Sequence, residues 1–212
     1  MAGGQELLKA LKATATANAP CLVIPVGSPV EATLRPVATI AGSLRASDVR
    51  VLTEWRDRFV KAFLTEFKAD EERTARWLTE MVGPDDTRIL FMLDDAAGRT
   101  FGYMGLAFID WENSYGEADS VVRGREAAHG IMARALHTLL SWSRTQLSLQ
   151  HLGVRVRSDN SALEFYRKLG FKEERRVALR RVAEADSVRW VEDESLDTAE
   201  SSLVYMSLPD WV

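Results

Sequence analysis

The sequence predicts a mixed α+β fold, in which about four helices flank a central, mostly antiparallel sheet of about seven strands. Three consecutive strand-like runs are separated only by polar turns, as is typical of antiparallel strands: 88–93, 100–109 and 116–122. A helical pattern at 128–143 then follows, and a fourth strand-like run at 152–156 leads into a second helical pattern at 161–169. This order favours one mixed sheet with a central ligand crevice.

Composition limits the class of protein. Of the 212 residues, 46% are hydrophobic and 27% are charged, as in a globular protein. The net charge of −4 gives no reason to expect nucleic acid or a membrane surface as a partner. Cys21 is the single cysteine and the three histidines lack ligand spacing, so we expect no disulfide framework and no metal site. No run approaches the roughly 20 apolar residues of a membrane span, and no signal peptide is evident, so we expect a cytoplasmic location.

We divide the chain into an N-terminal extension, residues 1–30, and a single domain, residues 31–212. The extension has a short helical pattern and then three prolines around Cys21. Its role is left open between a packing arm, a dimer contact and a partly disordered lead-in. A homodimer is therefore compatible with the sequence, which does not specify one.

The remaining elements follow in chain order: a strand at 32–40, a helix from 46 to about 63, a helix from about 68 to 83, a strand at 172–182, a hairpin tip within the acidic segment 184–202 and a strand at 202–208. Gly102 and Gly105 lie inside a predicted strand, which indicates a bulge or a close backbone approach.

A loop between a strand and a helix is the first candidate site. The run VVRGREAAHGIM (residues 121–132) holds two arginines and two glycines and leads into the helix at 128–143. Helix N-termini bind phosphate, because their first N–H groups have no partner and the helix dipole is positive there. The alternative is an ordinary loop with two solvated arginines.

The second strand–helix pair decides between these readings. The run NSALEFYRKLGF (residues 160–171) closely resembles the signature of the GNAT superfamily of N-acetyltransferases, and the upstream run resembles its coenzyme A pyrophosphate loop. Where that loop usually has Arg or Gln and a second Gly or Ala, this chain has Ala127 and Met132 around Gly130. This variant resembles a bacterial sugar-biosynthesis subgroup.

The resemblance implies a GNAT-like fold over roughly residues 33–208 and acetyl transfer from acetyl-CoA, a cosubstrate, to an amine, without a metal. It assigns coenzyme binding to the following residues: Val121, Val122, Arg123, His129, Gly130, Ile131, Met132, Ala133 and Asn160. Asn160 would contact the pantetheine arm or cap its helix. Trp55 and Arg56 resemble a subgroup feature that closes over the acceptor, although Trp55 suits the core equally well.

Acetyl transfer needs a base that removes a proton from the amine, whose pKa is about 10, and an acid that protonates the leaving thiolate. The resemblance puts Tyr166 near the coenzyme sulfur, and we take it as the candidate acid; the alternative is a core tyrosine. Strand alternation puts Glu117, Asp119 and Val121 on one face, and we favour Glu117 or Asp119 as the base over other nearby carboxylates.

We expect a small-molecule amine N-acetyltransferase, with a nucleotide-linked amino sugar as the best single substrate. Two alternatives stay open. A protein or peptide acetyltransferase, acting on an N-terminal amine or a lysine, would suit the acidic segment 184–200. A non-catalytic coenzyme A-binding module would suit the departure at Met132.

Overall fold

A ten-stranded sheet organises the computed structural model, which describes residues 2–17 and 22–209. Cys21 lies outside the described residues. The strands are β1 (Ile24–Val26), β2 (Ala32–Pro36), β3 (Thr65–Phe67), β4 (Ile89–Asp95), β5 (Thr100–Asp110), β6 (Tyr115–Arg123), β7 (His151–Arg157), β8 (Lys172–Ala183), β9 (Ser187–Glu192) and β10 (Ser201–Leu208).

Across the sheet the strand order is β1-β2-β4-β5-β6-β7-β10-β8-β9-β3. Only the pair β6–β7 is parallel, and every other neighbouring pair is antiparallel. The predicted fold class, a mixed α+β fold with a mostly antiparallel sheet, is confirmed. The sheet exceeds the expected seven strands because short strands, β1 and β3 among them, were not counted.

The helices are α1 (Ala2–Thr14), α2 (Ala46–Arg58), α3 (Glu71–Arg76), α4 (Ile131–Gln146) and α5 (Ala162–Lys168), and a π-helical segment, Trp77–Val82, continues α3. The prediction that α2 reaches Phe63 is wrong. The chain leaves α2 after Arg58, makes a 3-10 turn at Val60–Ala62 and enters β3, which pairs with β9 at the far end of the sheet.

None of the helices in the described ranges is long and apolar enough to cross a membrane.

Each face of the sheet packs its own hydrophobic cluster. On β4, Phe91 belongs to the cluster that α4 covers, whereas Met92 belongs to the cluster that α2 covers. The helix α1 joins the α4 cluster through Leu8 and Leu11, which are buried. Of the three roles considered for the N-terminal segment, these contacts support a packing arm.

The two glycines of β5 lie where neighbouring strands approach closely. A Cβ on Gly105 would lie 2.3 Å from the carbonyl oxygen of Ile89, and one on Gly102 would lie 2.6 Å from that of Val122. Register shifts occur beside Gly102, on the β4 side, and beside Gly105, on the β6 side. Both readings of these glycines, bulge and close approach, are confirmed.

Candidate active site

A gap opens in the middle of the sheet. The parallel strands β6 and β7 pair over four residues only, from Tyr115 with His151 to Ala118 with Val154. Beyond Ala118 the two strands have no ladder partners in each other, although β6 continues to Arg123 and β7 to Arg157. The gap therefore leaves the edge of β6 that faces β7 without a strand partner over residues 119–123, and we call the space between the two strands the cleft.

A bulge in β6 changes which side chains face this cleft. Ser120 has a φ of +55°, and the register with β5 shifts between Gly105 and Tyr103. As a result Val121 packs on the α4 side, together with Ala118, and Val122 packs on the α2 side. The prediction that Val121 shares a face with Glu117 and Asp119 is wrong, because the bulge inverts the alternation after Asp119.

The charge of Asp119 reaches two buried tyrosines, Tyr103 and Tyr166. Burial raises the pKa of Tyr103 and of Tyr166, and the nearby charge of Asp119 raises both further, while Arg56 acts in the opposite direction on Tyr103. The carboxylate of Asp119 accepts a hydrogen bond from Ser120 Oγ at 2.8 Å. A half-buried carboxylate beside the gap is therefore within electrostatic range of two buried phenols.

Tyr166 is packed in an aromatic cluster on α5. Its ring meets those of Phe165 and Phe171 edge to face, at centroid distances of 5.4 and 5.7 Å, and it is 5% exposed. Since it is also within electrostatic range of Asp119, the residue is at once a core tyrosine and a neighbour of the gap. The two alternatives drawn from the sequence are thus compatible.

Glu117 is engaged by other side chains. Its two carboxylate oxygens accept hydrogen bonds from Tyr115 Oη and from Arg155 Nε, both at 2.7 Å. Glu117 is 4% exposed to solvent. Both carboxylate oxygens of Glu117 are therefore occupied by partners within the protein, whereas the charge of Asp119 reaches Tyr103 and Tyr166.

The predicted phosphate loop keeps its backbone open at the start of α4. Gly130 has a φ of +74° and caps the helix without a side-chain bond, a conformation that suits glycine. Ile131 N–H donates to Ala128, and Arg134 N–H donates to Gly130. Within the described part of the chain, the N–H groups of Met132 and Ala133 have no acceptor, as expected for a first turn.

The side chains of this loop face different ways. Arg123 and His129 are exposed, Ile131 is buried, and Met132 and Ala133 are half-buried. A groove of about 360 Å³ runs from Ala133 along α4 to Leu169, at the end of α5. Backbone N–H groups, a groove and exposed basic side chains therefore lie together at the end of β6.

Asn160 caps α5. Its Oδ1 accepts a hydrogen bond from Ala162 N–H at 2.9 Å, and its Nδ2 donates to the carbonyl of Ala62 at 3.3 Å. The capping role is the one that these bonds support.

Trp55 is a core residue that also holds the loop after β6. It is fully buried and stacks on Tyr103, with ring centroids 6.1 Å apart. A Cβ on Gly124 would lie 2.0 Å from Trp55 Cε2, so the loop backbone passes directly over the indole. Arg58 Nη1 donates to the carbonyl of Gly124 at 2.6 Å and fixes the same contact.

A segment after α2 is bonded to the end of β7 that lies beyond its pairing with β6; we call residues 59–67 the strap. Arg157, on β7, donates to the carbonyl of Phe63 at 3.3 Å and to Glu66 Oε1 at 3.2 Å. Trp190 Nε1 also donates to Glu66 Oε1, at 2.6 Å, and Arg157 stacks over the Trp190 ring at 4.2 Å. The strap is thereby joined to β7 and β9, and its contacts were not predicted from the sequence.

Comparison with known proteins agrees with this architecture. A family model described as an acetyltransferase (GNAT) domain matches residues 41–172. A search of curated proteins gave no significant match. A probable GNAT-family acetyltransferase from Chromobacterium violaceum has a similar structure, with a TM-score of 0.64 and 17% identity over 92% of this chain and 94% of that chain.

A spermidine N-acetyltransferase from Vibrio cholerae, solved with CoA and spermine, is also similar, with a TM-score of 0.62 and 19% identity over 84% of this chain and 94% of that chain. At such identities these structures show a shared fold. The family model, however, covers more than half of the chain, so the protein belongs to the acetyltransferase (GNAT) domain family and is an acetyl-CoA-dependent N-acetyltransferase.

Proposed function

We propose that the protein acetylates a primary amine of a small molecule at the gap between β6 and β7. The observation that carries this proposal is the position of Asp119 beside the gap, within electrostatic range of Tyr103 and Tyr166. The donor, acetyl-CoA, lies with its pyrophosphate at the first turn of α4, where Met132 and Ala133 offer N–H groups and Arg123 and His129 add basic side chains.

In the reaction, the ammonium group of the acceptor first gives one proton to Asp119, and the neutral nitrogen then attacks the thioester carbonyl carbon. When the tetrahedral intermediate collapses, the carbon–sulfur bond breaks, Tyr166 gives its phenolic proton to the departing sulfur, and the second proton lost by the nitrogen restores the phenol. The products are the amide and the free thiol, and Asp119 returns its proton to water. Burial favours this role because it raises the pKa of Tyr166 and so keeps the phenol protonated. Backbone N–H groups of β6 that lack a strand partner beyond Ala118 are available to the developing oxyanion.

The strap favours a small acceptor over a protein chain. It is paired with β9 and bonded to Arg157, so one side of the cleft is closed by the chain itself. The substrate class is then a question of which small amine fits. A nucleotide-linked amino sugar is our sequence-based hypothesis, and the structural relative from Vibrio cholerae that is named for spermidine makes polyamines the second class to test.

The test combines acetyl-CoA thermal stabilisation with thiol release in the presence of amino sugars, their phosphorylated and nucleotide-linked forms, polyamines and short peptides. We expect stabilisation by acetyl-CoA and thiol release with one small-molecule class, reduced by Asp119→Asn. Release with peptides only would overturn the choice of a small acceptor. Stabilisation without release from any amine would contradict the proposed reaction.

A further inference from the structure

Two arginines beside the strap share one aromatic ring. Arg56, on α2, and Arg73, on α3, lie with their guanidinium carbons 4.6 and 3.8 Å from the ring centroid of Phe67. The two guanidinium carbons are therefore no farther apart than the sum of these two distances. Neither of them forms a salt bridge with a carboxylate anywhere in residues 2–17 or 22–209. A pair of like charges is held here without a salt bridge to any carboxylate of the described residues.

Arg56 is the more buried of the two. It also stacks on Phe63 at 3.8 Å, and its Nη2 donates to the carbonyl of Thr65 at 2.5 Å. Its Nη1 is buried and meets no acceptor among the described residues. Burial lowers the pKa of Arg56 to about 10, and the charge of Arg73 contributes in the same direction. An anion at this place would relieve both the desolvation and the repulsion.

The carboxylates in this neighbourhood have other partners. Glu66, the acidic residue whose charge reaches Arg56, gives Oε1 to Arg157 and Trp190. Asp57 accepts the N–H of Ala69 at 3.3 Å, and Asp70 accepts the N–H of Arg73 at 2.7 Å as the cap of α3. An anionic ligand would therefore add a counter-charge that Glu66, Asp57 and Asp70 do not supply through a salt bridge.

We propose that Arg56 and Arg73 bind an oxyanion, a phosphate or a carboxylate, that the amine acceptor carries; this rests on the proposed function. The pair lies near the proposed site of acetyl transfer, because the charge of Arg56 reaches Tyr103, a tyrosine that the charge of Asp119 also reaches. An acceptor of this class has its amine at Asp119 and its anionic group at the α2 and α3 side. A polycation such as spermidine is repelled by the same pair.

The experiment compares acceptors that carry an anionic group with acceptors that lack it. Glucosamine is compared with glucosamine 6-phosphate and with nucleoside-diphosphate-linked glucosamine, an amino acid is compared with its amide, and spermidine serves as the polycation. In Arg73→Gln we expect KM for the anionic acceptors to rise about 10- to 100-fold, as for a lost charged hydrogen bond, with kcat little changed. KM for the neutral acceptors stays as it is. Arg76→Gln, which removes an exposed charge from the same helix, is the matched control.

Two results would overturn the proposal: anionic acceptors with no advantage over neutral ones, or equal effects of the substitutions at Arg73 and Arg76. A separate measurement isolates the arginine pair from the reaction. Inorganic phosphate is titrated into CoA-saturated protein, so that the coenzyme site is filled, and Arg73→Gln should weaken its binding. If no amine is acetylated but this binding behaves as expected, the proposed function fails while the anion site stands; if phosphate does not bind, the anion site fails.

Discussion

Replacing both carboxylate partners of Arg157 should destabilise the protein more than removing Arg157 itself. Arg157 donates to Asp159 through Nε and Nη2, at 3.0 and 2.7 Å, and to Glu66 through Nη1. Its side chain is 5% exposed, whereas those of Glu66 and Asp159 are 22% and 48% exposed. Leaving the buried arginine without a counter-charge should therefore cost more unfolding free energy than leaving the more exposed carboxylates without theirs.

The magnitudes follow from this asymmetry. In Glu66→Gln/Asp159→Asn the guanidinium stays buried without a counter-charge, which costs about 3–5 kcal/mol of unfolding free energy. In Arg157→Met the two carboxylates regain water, and the loss is that of charged hydrogen bonds alone, about 1–3 kcal/mol. An exposed pair gives the control: Arg180→Met, which removes the bond to Asp193, should change stability by less than about 1 kcal/mol.

The carboxylates of Glu66 and Asp159 also make the stability of the protein depend on pH. The hydrogen bond from Trp190 and the charge of Arg157 lower the pKa of Glu66. Burial alone would raise the pKa of Asp159, but the hydrogen bonds from Arg157 and Ser201 outweigh it and lower the value. Both pKa values are lower in the folded state than in the unfolded chain. The two carboxylates therefore stabilise the fold fully above their unfolded pKa values, about 4, and this stabilisation is lost as the pH falls through their folded pKa values.

Urea unfolding at pH 7 and at pH 3.5 measures both effects. We expect the wild type to lose more stability on acidification than Arg157→Met does. The reasoning is refuted if the double variant is no less stable than Arg157→Met at pH 7, since the buried guanidinium would then tolerate the loss of its counter-charges.

Three further predictions concern other parts of the molecule. Gly124→Ala should cost about 1–3 kcal/mol in urea unfolding and weaken acetyl-CoA binding in calorimetry, because its Cβ would meet the immobile ring of Trp55 at 2.0 Å; unchanged values would contradict this packing. Tyr166→Phe should lower kcat about 100-fold in a thiol-release assay with little change in acetyl-CoA affinity, and an unchanged kcat would exclude the acid role. Burial, opposed by the charges of Asp85 and Asp86, lowers the pKa of Lys12 to about 8 from 10.5. The unfolded chain thus binds more protons between these values, so stability rises with pH in that window. Lys12→Met should lack the rise, and an identical unfolding profile from pH 7.5 to 10.5 would refute the assignment.

Local patterns were sufficient to predict the elements that build the gap. The runs around β6, α4, β7 and α5 have regular apolar spacing and glycines at their ends, so the order of strands and helices was read correctly. Gly102 and Gly105 also revealed close strand contacts, because a strand glycine has few other uses.

The parts that failed depend on contacts between distant residues. Nothing near Ser120 in the sequence marks a bulge, so alternation misplaced Val121. The end of α2 was misjudged because Phe59 and Phe63 continue its apolar spacing, while β9 draws the strap away into an extended strand. The sequence does not reveal Arg157 and Trp190 as partners of Glu66, because they lie 91 and 124 positions from it along the chain.

The lengths of the outermost strands bear on how molecules of this protein meet one another. Both edges of the sheet, β1 and β3, are only three residues long, and β1 contains Pro25. Long free edges invite another chain to add a strand, and short or proline-bearing ones discourage it. Within residues 2–17 and 22–209, the edges of the sheet therefore offer little template for aggregation by strand addition, which favours helices or side-chain surfaces for any self-association of the folded protein.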